Sequence, residues 1–550
     1  MTRPYKHPAV LLTVAWLVVF ATRCALILNP PAGYFYNIDE LEMTLSCLDR
    51  FLGVPSTSLQ WPGSILQMLM MPVWIADLVI QNGIPRGMTA GLNSLGNYLA
   101  HAYANPVHSV TLLRLLVAAI SSAAPIFAFG IASSLTNSKR VAWIAAGAIA
   151  FVPIFFRQSA MAMGEAAGLT FALGALFLIV RFGATRAFWA GFLFAAAIAS
   201  RITLASLVVL PLLLLAFDLR QVLVKRIPGI LRFCVGLFVG FLFWCPWVWT
   251  DPLRFAKAVL GHLGHHASLH PPAFFNVWLD AMGVSFTILT LLSVAGAIYA
   301  LKSAALRVFA IPGLIATAIV TLPLVSAKVD LFPRYFLPLL PCIVLLAALT
   351  LAAVNNHRLI AGLFILASVG TFAESTIREQ QLRGPDELAM GLHAAAELSP
   401  DTTLFLPEEA LYLYRIPLPR AVYSRMQERV STQLRDHSGV LAYLKQRGIP
   451  ETAGSVLMTA FTEDEQALEA RLRAASTLSG ASGPNLTVYY DPGTVSGIVA
   501  ERLSPADMTL DKAKAQYREN TQTAILLHNA SPDLGQPLWK GARAWYLYKR

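Results

Sequence analysis

Apolar residues run almost unbroken through the first two-thirds of the chain, then give way to short alternating stretches. The long runs cover roughly 9–28, 108–134, 141–157, 166–182, 187–200, 202–219, 229–249, 276–300, 306–326, 334–353 and 358–373. A helix needs about 20 residues to cross roughly 30 Å of hydrocarbon, so these runs predict eleven membrane-spanning helices, with 187–200 the short one. A further run, 62–80, could span or lie in the interface. The N-terminal stretch has a basic start, but its apolar run is too long for a signal peptide and lacks an A-x-A site, so it reads as an uncleaved first helix. Past Ala373 the period changes. TTLFL, GSVLMTAF, LTVYY, AILLH and AWYLY read as strands, and DELAMGLHAAAEL, HSGVLAYLKQRG and EDEQALEARLRAA as amphipathic helices, which predicts a small α/β domain over 374–550.

Composition and charge then decide the topology. With 56% hydrophobic and 13% charged residues in 550, the chain lies far from a soluble globular average. Disorder, a secreted disulfide scaffold and an ordinary cytosolic enzyme are excluded. The five cysteines contain no CxxC pair, and none follows Cys342, so no disulfide framework is expected. A net charge of +11 would suggest nucleic acid if it sat on one soluble domain, but it is scattered among loops. If 62–80 is juxtamembrane and residues 1–8 are cytoplasmic, the inner loops carry Arg3, Lys6, Lys139, Arg140, Arg181, Arg186, Arg220, Lys225, Arg226, Lys302, Arg307 and Arg358, against Asp218 alone. If 62–80 spanned, every later loop would invert and Lys139 and Arg140 would face outward, against the positive-inside rule. The expected fold is therefore an α-helical polytopic membrane domain, 1–373, with juxtamembrane helices in a first outer loop, 29–106. An extracytoplasmic α/β domain, 374–550, follows it.

This orientation gathers Asp39, Glu40, Glu42, Asp49, Glu165 and Asp251 at or just above the outer membrane surface. Ionisable groups there are costly unless paired or hydrated, which makes them functional candidates. Asp39 reads either as a helix cap favoured by the dipole or as a general base beside the bilayer. Glu165 reads either as the partner of Arg157 or as a second acid of a site. Arg201 and Arg334 read either as snorkelling cations or as bidentate ligands of a lipid phosphate. His262, His265 and His266 share one helical face, with His270 beyond. They could chelate zinc, or contact phosphate or an acceptor with Arg254 and Lys257. Alternatively they belong to an interfacial helix whose belt residues are Trp247 and Trp249. The cluster Arg415, Arg420, Arg425 and Arg429 reads either as a surface for anionic lipid or glycan or as a solvated face.

The order of these features resembles a known superfamily. One span precedes an Asp-Glu pair early in a long outer loop, a second acid follows the third span, and a basic residue sits between short helices. A late R-Y-F-L-P-L-L-P segment and an outer C-terminal domain complete the pattern. The chain looks like the GT-C membrane glycosyltransferases, especially the branch of protein O-mannosyltransferases and lipid A aminoarabinose transferase, over roughly residues 5–353. The resemblance implies inverting transfer of a sugar from a polyprenyl-phosphate donor to a hydroxyl of a lipid, glycan or protein. It also implies a bacterial inner membrane, with the site and C-terminal domain on the periplasmic side. It makes Asp39 the base with Glu40 its neighbour, Glu165 the second acid, and Arg201, Arg334 and Tyr335 the phosphate-binding set. A divalent metal is compatible with it; nucleic acid is not a partner. The chain departs from the pattern at Gln60-Trp61-Pro62-Gly63, where relatives often carry a cation before Pro-Pro-Leu. Two other readings of the same features are a lipid-linked oligosaccharide ligase or polymerase, and a lipid-sugar transporter or flippase. A transporter implies paired interrupted helices and midplane charges, and neither is legible in the sequence.

Overall fold

The computed structural model describes residues 8–29, 64–84, 106–136, 138–217, 223–246, 274–326, 333–353, 358–382, 401–407, 485–489, 509–527, 530–540 and 546–550, with isolated positions between them. It divides into two compact units. One holds 1–29, 55–70 and 113–381; the other holds 30–54, 71–112 and 382–550.

Helices α1 (Pro8–Leu28), α2 (Ser64–Asn82), α3 (Pro106–Ser121), α4 (Ala124–Thr136), α5 (Lys139–Ala150), α6 (Pro153–Gln158), α7 (Gly164–Phe182) and α8 (Ala187–Ser200) come first. A 3-10 segment, Ile202–Val208, leads into α9 (Val209–Ala216), followed by α10 (Leu223–Trp244), α11 (Phe274–Ala300) and α12 (Ala304–Ser326). A 3-10 turn, Pro333–Phe336, then precedes α13 (Leu339–Ala353) and α14 (Arg358–Leu382). Each of the eleven predicted runs is helical over most of its described length. Among the described residues, seven helical segments are long and apolar enough to cross a membrane; one of them, Gly164–Ser200, comprises α7 and α8 together. Helix α2 is another of the seven. The protein is thus a polytopic helical membrane protein.

Local chemistry sets the helix ends. Pro153 starts α6, where a missing N–H costs nothing. Ser138 caps α5 by accepting from the Val141 amide. Gly183, at φ 57°, ends α7 in the left-handed region that a side chain resists. Packing then sorts the helices. Almost every side chain of α13 is buried, and α7 and α8 are mostly buried, as expected of helices at the centre of a bundle. Helix α10 instead exposes Ile227, Leu231, Val235, Phe238 and Phe243. That apolar stripe at helical spacing suits lipid. Helices α8 and α10 meet backbone to backbone: a Cβ on Gly236 would lie 2.0 Å from the Phe188 carbonyl oxygen, and one on Gly191 2.1 Å from that of Phe233.

Helix α11 is broken. Gly283, at φ 77°, interrupts it and leaves a short first segment before the longer second one. Helix α14 runs beyond the predicted end at 373 to Leu382, so Glu374, Arg378 and Glu379 lie on its last turns.

In the second unit, β1 (Thr403–Pro407), β2 (Asn485–Tyr489), β3 (Thr523–Leu527), β4 (Trp539–Lys540) and β5 (Tyr546–Lys549) form one sheet in the order β2-β1-β3-β5-β4. Strands β2, β1 and β3 are parallel and the β3-β5-β4 side is antiparallel. Four of the five predicted strands appear; GSVLMTAF lies outside the described residues. Helix α15 (Leu510–Glu519), capped by Thr509, covers the sheet with Ala513 and Tyr517 against Phe405, Ile525 and Tyr548. Its sequence, LDKAKAQYRE, is too polar to have stood out.

Candidate functional site

The site grows from the antiparallel pair α7 and α8. Because α8 returns alongside α7, the N-terminus of α7 and the C-terminus of α8 meet at one end of the bundle. Glu165 stands in the first turn of α7, where the helix dipole favours a carboxylate. Arg201 is the C-cap of α8, where the same field favours a cation; its amide donates to the Ala197 carbonyl at 3.1 Å. Two glycines allow the approach. A Cβ on Gly164 would lie 2.3 Å from the Ser200 carbonyl oxygen, and one on Gly168 would lie 2.5 Å from Leu204 Cδ1 and 3.0 Å from the Ala197 carbonyl oxygen. The G-E-A-A-G segment is a small-xxx-small packing motif with the acid inside it.

The 3-10 turn before α13 adds Arg334. Arg201 Nε is 3.4 Å and Arg334 Nε 3.9 Å from the same oxygen, Glu165 Oε1. All three side chains are at least 93% shielded: 3% of Arg201, 4% of Glu165 and 7% of Arg334 is exposed. Among the described residues, neither Glu165 oxygen accepts a hydrogen bond. Both guanidiniums face this one carboxylate, and buried charges of this kind are costly unless they are paired. Tyr335 is half-buried beside Arg334, and Phe336 is fully buried.

The expected alternative partner of Glu165 is engaged elsewhere: Arg157 Nε donates to Glu379 Oε1 at 3.2 Å. The structure therefore brings together Glu165, Arg201 and Arg334, with Tyr335 adjacent. Glu40 is buried in helical backbone, and its carbonyl accepts from the Thr44 hydroxyl at 2.8 Å. Asp39, His262, His265, His266 and His270 lie outside the described residues. Among the described residues, no three His, Cys, Asp or Glu side chains group to hold a metal.

No family model matches the sequence, and no curated protein matches it. Among solved structures, the chain is similar to the Archaeoglobus fulgidus oligosaccharyltransferase in complex with zinc and sulfate (16% identity, TM-score 0.42). The alignment covers 71% of this chain and 55% of that one, so the chain spans little more than half of its length. It is also similar to ArnT from Cupriavidus metallidurans in the apo state (12% identity, TM-score 0.42, 98% of each chain). With ArnT bound to undecaprenyl phosphate the identity is 15% and the TM-score 0.40, over 98% of this chain and 97% of that one.

Three groups of polar residues escaped the sequence reading. Asp77, in the apolar run 62–80, accepts from the Tyr98 hydroxyl at 2.6 Å and Gln81 Nε2 at 2.9 Å, with His108 Nε2 at 3.0 Å. Burial, and then that bond to Asp77, push the Tyr98 hydroxyl far above its usual range. An acid inside an apolar stretch was signal enough to flag it. Arg23, fully buried in α1, donates to the Ser122 hydroxyl at 2.9 Å and lies 5.4 Å from the Phe155 ring centre. Glu374, Arg378 and Glu379 fall within the expected soluble domain, 374–550, but belong to α14.

Proposed function

We propose that the protein is an inverting glycosyltransferase, taking a sugar from a polyprenyl-phosphate donor and passing it to a hydroxyl acceptor at the outer face of a bacterial inner membrane. The observation that carries this reading is the buried Glu165–Arg201–Arg334 cluster at one end of the helical bundle. The donor is a phosphodiester with one negative charge. As its sugar–oxygen bond breaks, a further negative charge develops on the departing phosphate. Fixed guanidiniums in a shielded site stabilise that charge in the transition state more than in the ground state. Arg201 and Arg334 hold the phosphate, and Glu165 orients both guanidiniums.

Asp39 takes the acceptor hydroxyl proton while the acceptor oxygen forms its bond to the anomeric carbon, opposite the departing phosphate. The sequence order of Asp39 relative to the first helix supports this role, with Glu40 beside it. One displacement gives inversion, and the products are the glycoside, polyprenyl phosphate and a protonated Asp39.

The test is incubation of purified protein with polyprenyl-phosphate sugars. Free polyprenyl phosphate is expected from wild type. Asp39→Asn should abolish its release while leaving expression and lipid binding intact; normal turnover by that variant would refute the assignment. A transporter would move the lipid without releasing free polyprenyl phosphate.

A further inference from the structure

Charged groups on the last turns of a membrane helix need a reason, and α14 carries Glu374, Arg378 and Glu379 there. All three engage segments that lead to the cluster. The break at Gly283 leaves orphan carbonyls at the end of the first α11 segment and orphan amides at the start of the second. Arg378 meets the first set: Nη2 donates to the Leu279 carbonyl at 2.8 Å, and Nη1 to the Asp280 carbonyl, with Asp280 Oδ1 at 3.3 Å. Glu374 meets the second set, accepting on Oε1 from the Ser285 amide at 3.1 Å and the Ser285 hydroxyl at 2.9 Å. One turn of α14 thus caps both sides of the break.

The clamped first segment reaches the site. Its Phe274 and Trp278 rings pack edge-on against Phe336, with centroids 5.3 and 5.4 Å away. Phe336 belongs to the same 3-10 turn as Arg334. Trp278 Nε1 also donates across the break to the Thr287 hydroxyl at 2.8 Å. Glu379 holds Arg157 on α6, and α6 precedes the turn into Glu165.

We propose that Glu374 and Arg378 are positioning residues for the anion site: they fix the 274–282 segment, whose rings fix the turn that presents Arg334. The proposal rests on the reading of the cluster as the donor-phosphate site, and its test separates the two.

The full chain in lipid nanodiscs is compared as wild type, Arg378→Ala, Arg378→Lys and Glu374→Gln by amide hydrogen exchange and by turnover of a polyprenyl-phosphate sugar. In Arg378→Ala, exchange should rise about tenfold or more over both 274–282 and 333–337, while 139–150 stays as in wild type. Arg378→Lys keeps the charge but not the planar fork, and should show the same pattern more weakly if the alanine variant does not fold. Turnover should fall about tenfold in kcat, and Arg378→Ala should cost nothing further in an Arg334→Ala background. Faster exchange over 274–282 with 333–337 protected as in wild type would overturn the proposal. So would losses from Arg378→Ala and Arg334→Ala that multiply. If wild type turns over no polyprenyl-phosphate sugar, the proposed function fails while the exchange pattern still decides the positioning role.

Discussion

Gly164→Ala tests the link between helix packing and the site most directly. The added Cβ would sit 2.3 Å from the Ser200 carbonyl oxygen, whereas ordinary contact begins at 3.4 Å. The obstacle is backbone, so no side chain can swing aside. The start of α7 or the end of α8 must retreat by about 1 Å, the gap between those two distances. Glu165 is the next residue and Arg201 follows Ser200, so their separation of 3.4 Å opens with it. Overpacking of this kind costs about 1–3 kcal/mol, and misplacing a catalytic constellation by about 1 Å can cost roughly a hundredfold in rate.

Gly147→Ala is the control. Nothing lies within 4 Å of its Cβ, and alanine is the better helix former by about 1 kcal/mol. Both variants are purified, their melting temperatures compared, and release of polyprenyl phosphate measured. The expected result is a large rate loss for Gly164→Ala with a modest fall in melting temperature, and neither change for Gly147→Ala. A folded Gly164→Ala that works as fast as Gly147→Ala would refute the dependence of the site on this approach.

Other variants probe separate links. Arg201→Lys keeps the charge but loses the planar fork, so donor turnover should fall well below wild type; unchanged turnover would remove Arg201 from phosphate binding. Asp77→Asn weakens charge-assisted hydrogen bonds from Tyr98, Gln81 and His108 and should cost about 1.5–3 kcal/mol, read as a lower melting temperature. Arg23→Met removes a buried guanidinium whose Nε and Nη2 have no hydrogen-bond partner among the described residues, so the melting temperature should stay or rise; a fall would contradict that reading. In the C-terminal domain, the Ser531 hydroxyl and then Arg518 hold the Asp533 carboxyl below its usual range. A depressed folded value means this contribution is present above the unfolded pKa of about 4 and lost as pH falls through the folded value. Melting curves of wild type and Asp533→Asn should therefore converge in acid and separate towards neutrality.

The helices were legible because hydropathy records how much of each segment avoids water. The sidedness of the loops was enough to group Glu165, Arg201 and Arg334, since charges that must share one membrane face have few places to go. Which carboxylate meets which guanidinium was not legible. The choice of Arg201 over Arg157 depends on the closeness of α7 and α8, and hence on Gly164 and Gly168, whose chemistry is the absence of a side chain. Glu374 and Arg378 were missed for the opposite reason. Their charges broke the apolar run at 373, so the pattern ended before the helix did. The break at Gly283 was not legible either, because Asp280 and Ser285 are too few to divide the apolar run around it.

The strand order of the C-terminal sheet has a consequence for how the chain matures. β5 comes last in sequence but lies inside the sheet, between β3 and β4, and Thr403 in β1 must find Thr523 in β3. Such distant pairings form slowly because loop closure precedes any reward. Among the described residues, strand β4 pairs with β5 alone, so that side of the sheet waits until Tyr546–Lys549 has been synthesised. A truncation before Tyr546 should therefore leave inserted helices carrying an open β3 edge, a substrate for quality-control proteolysis.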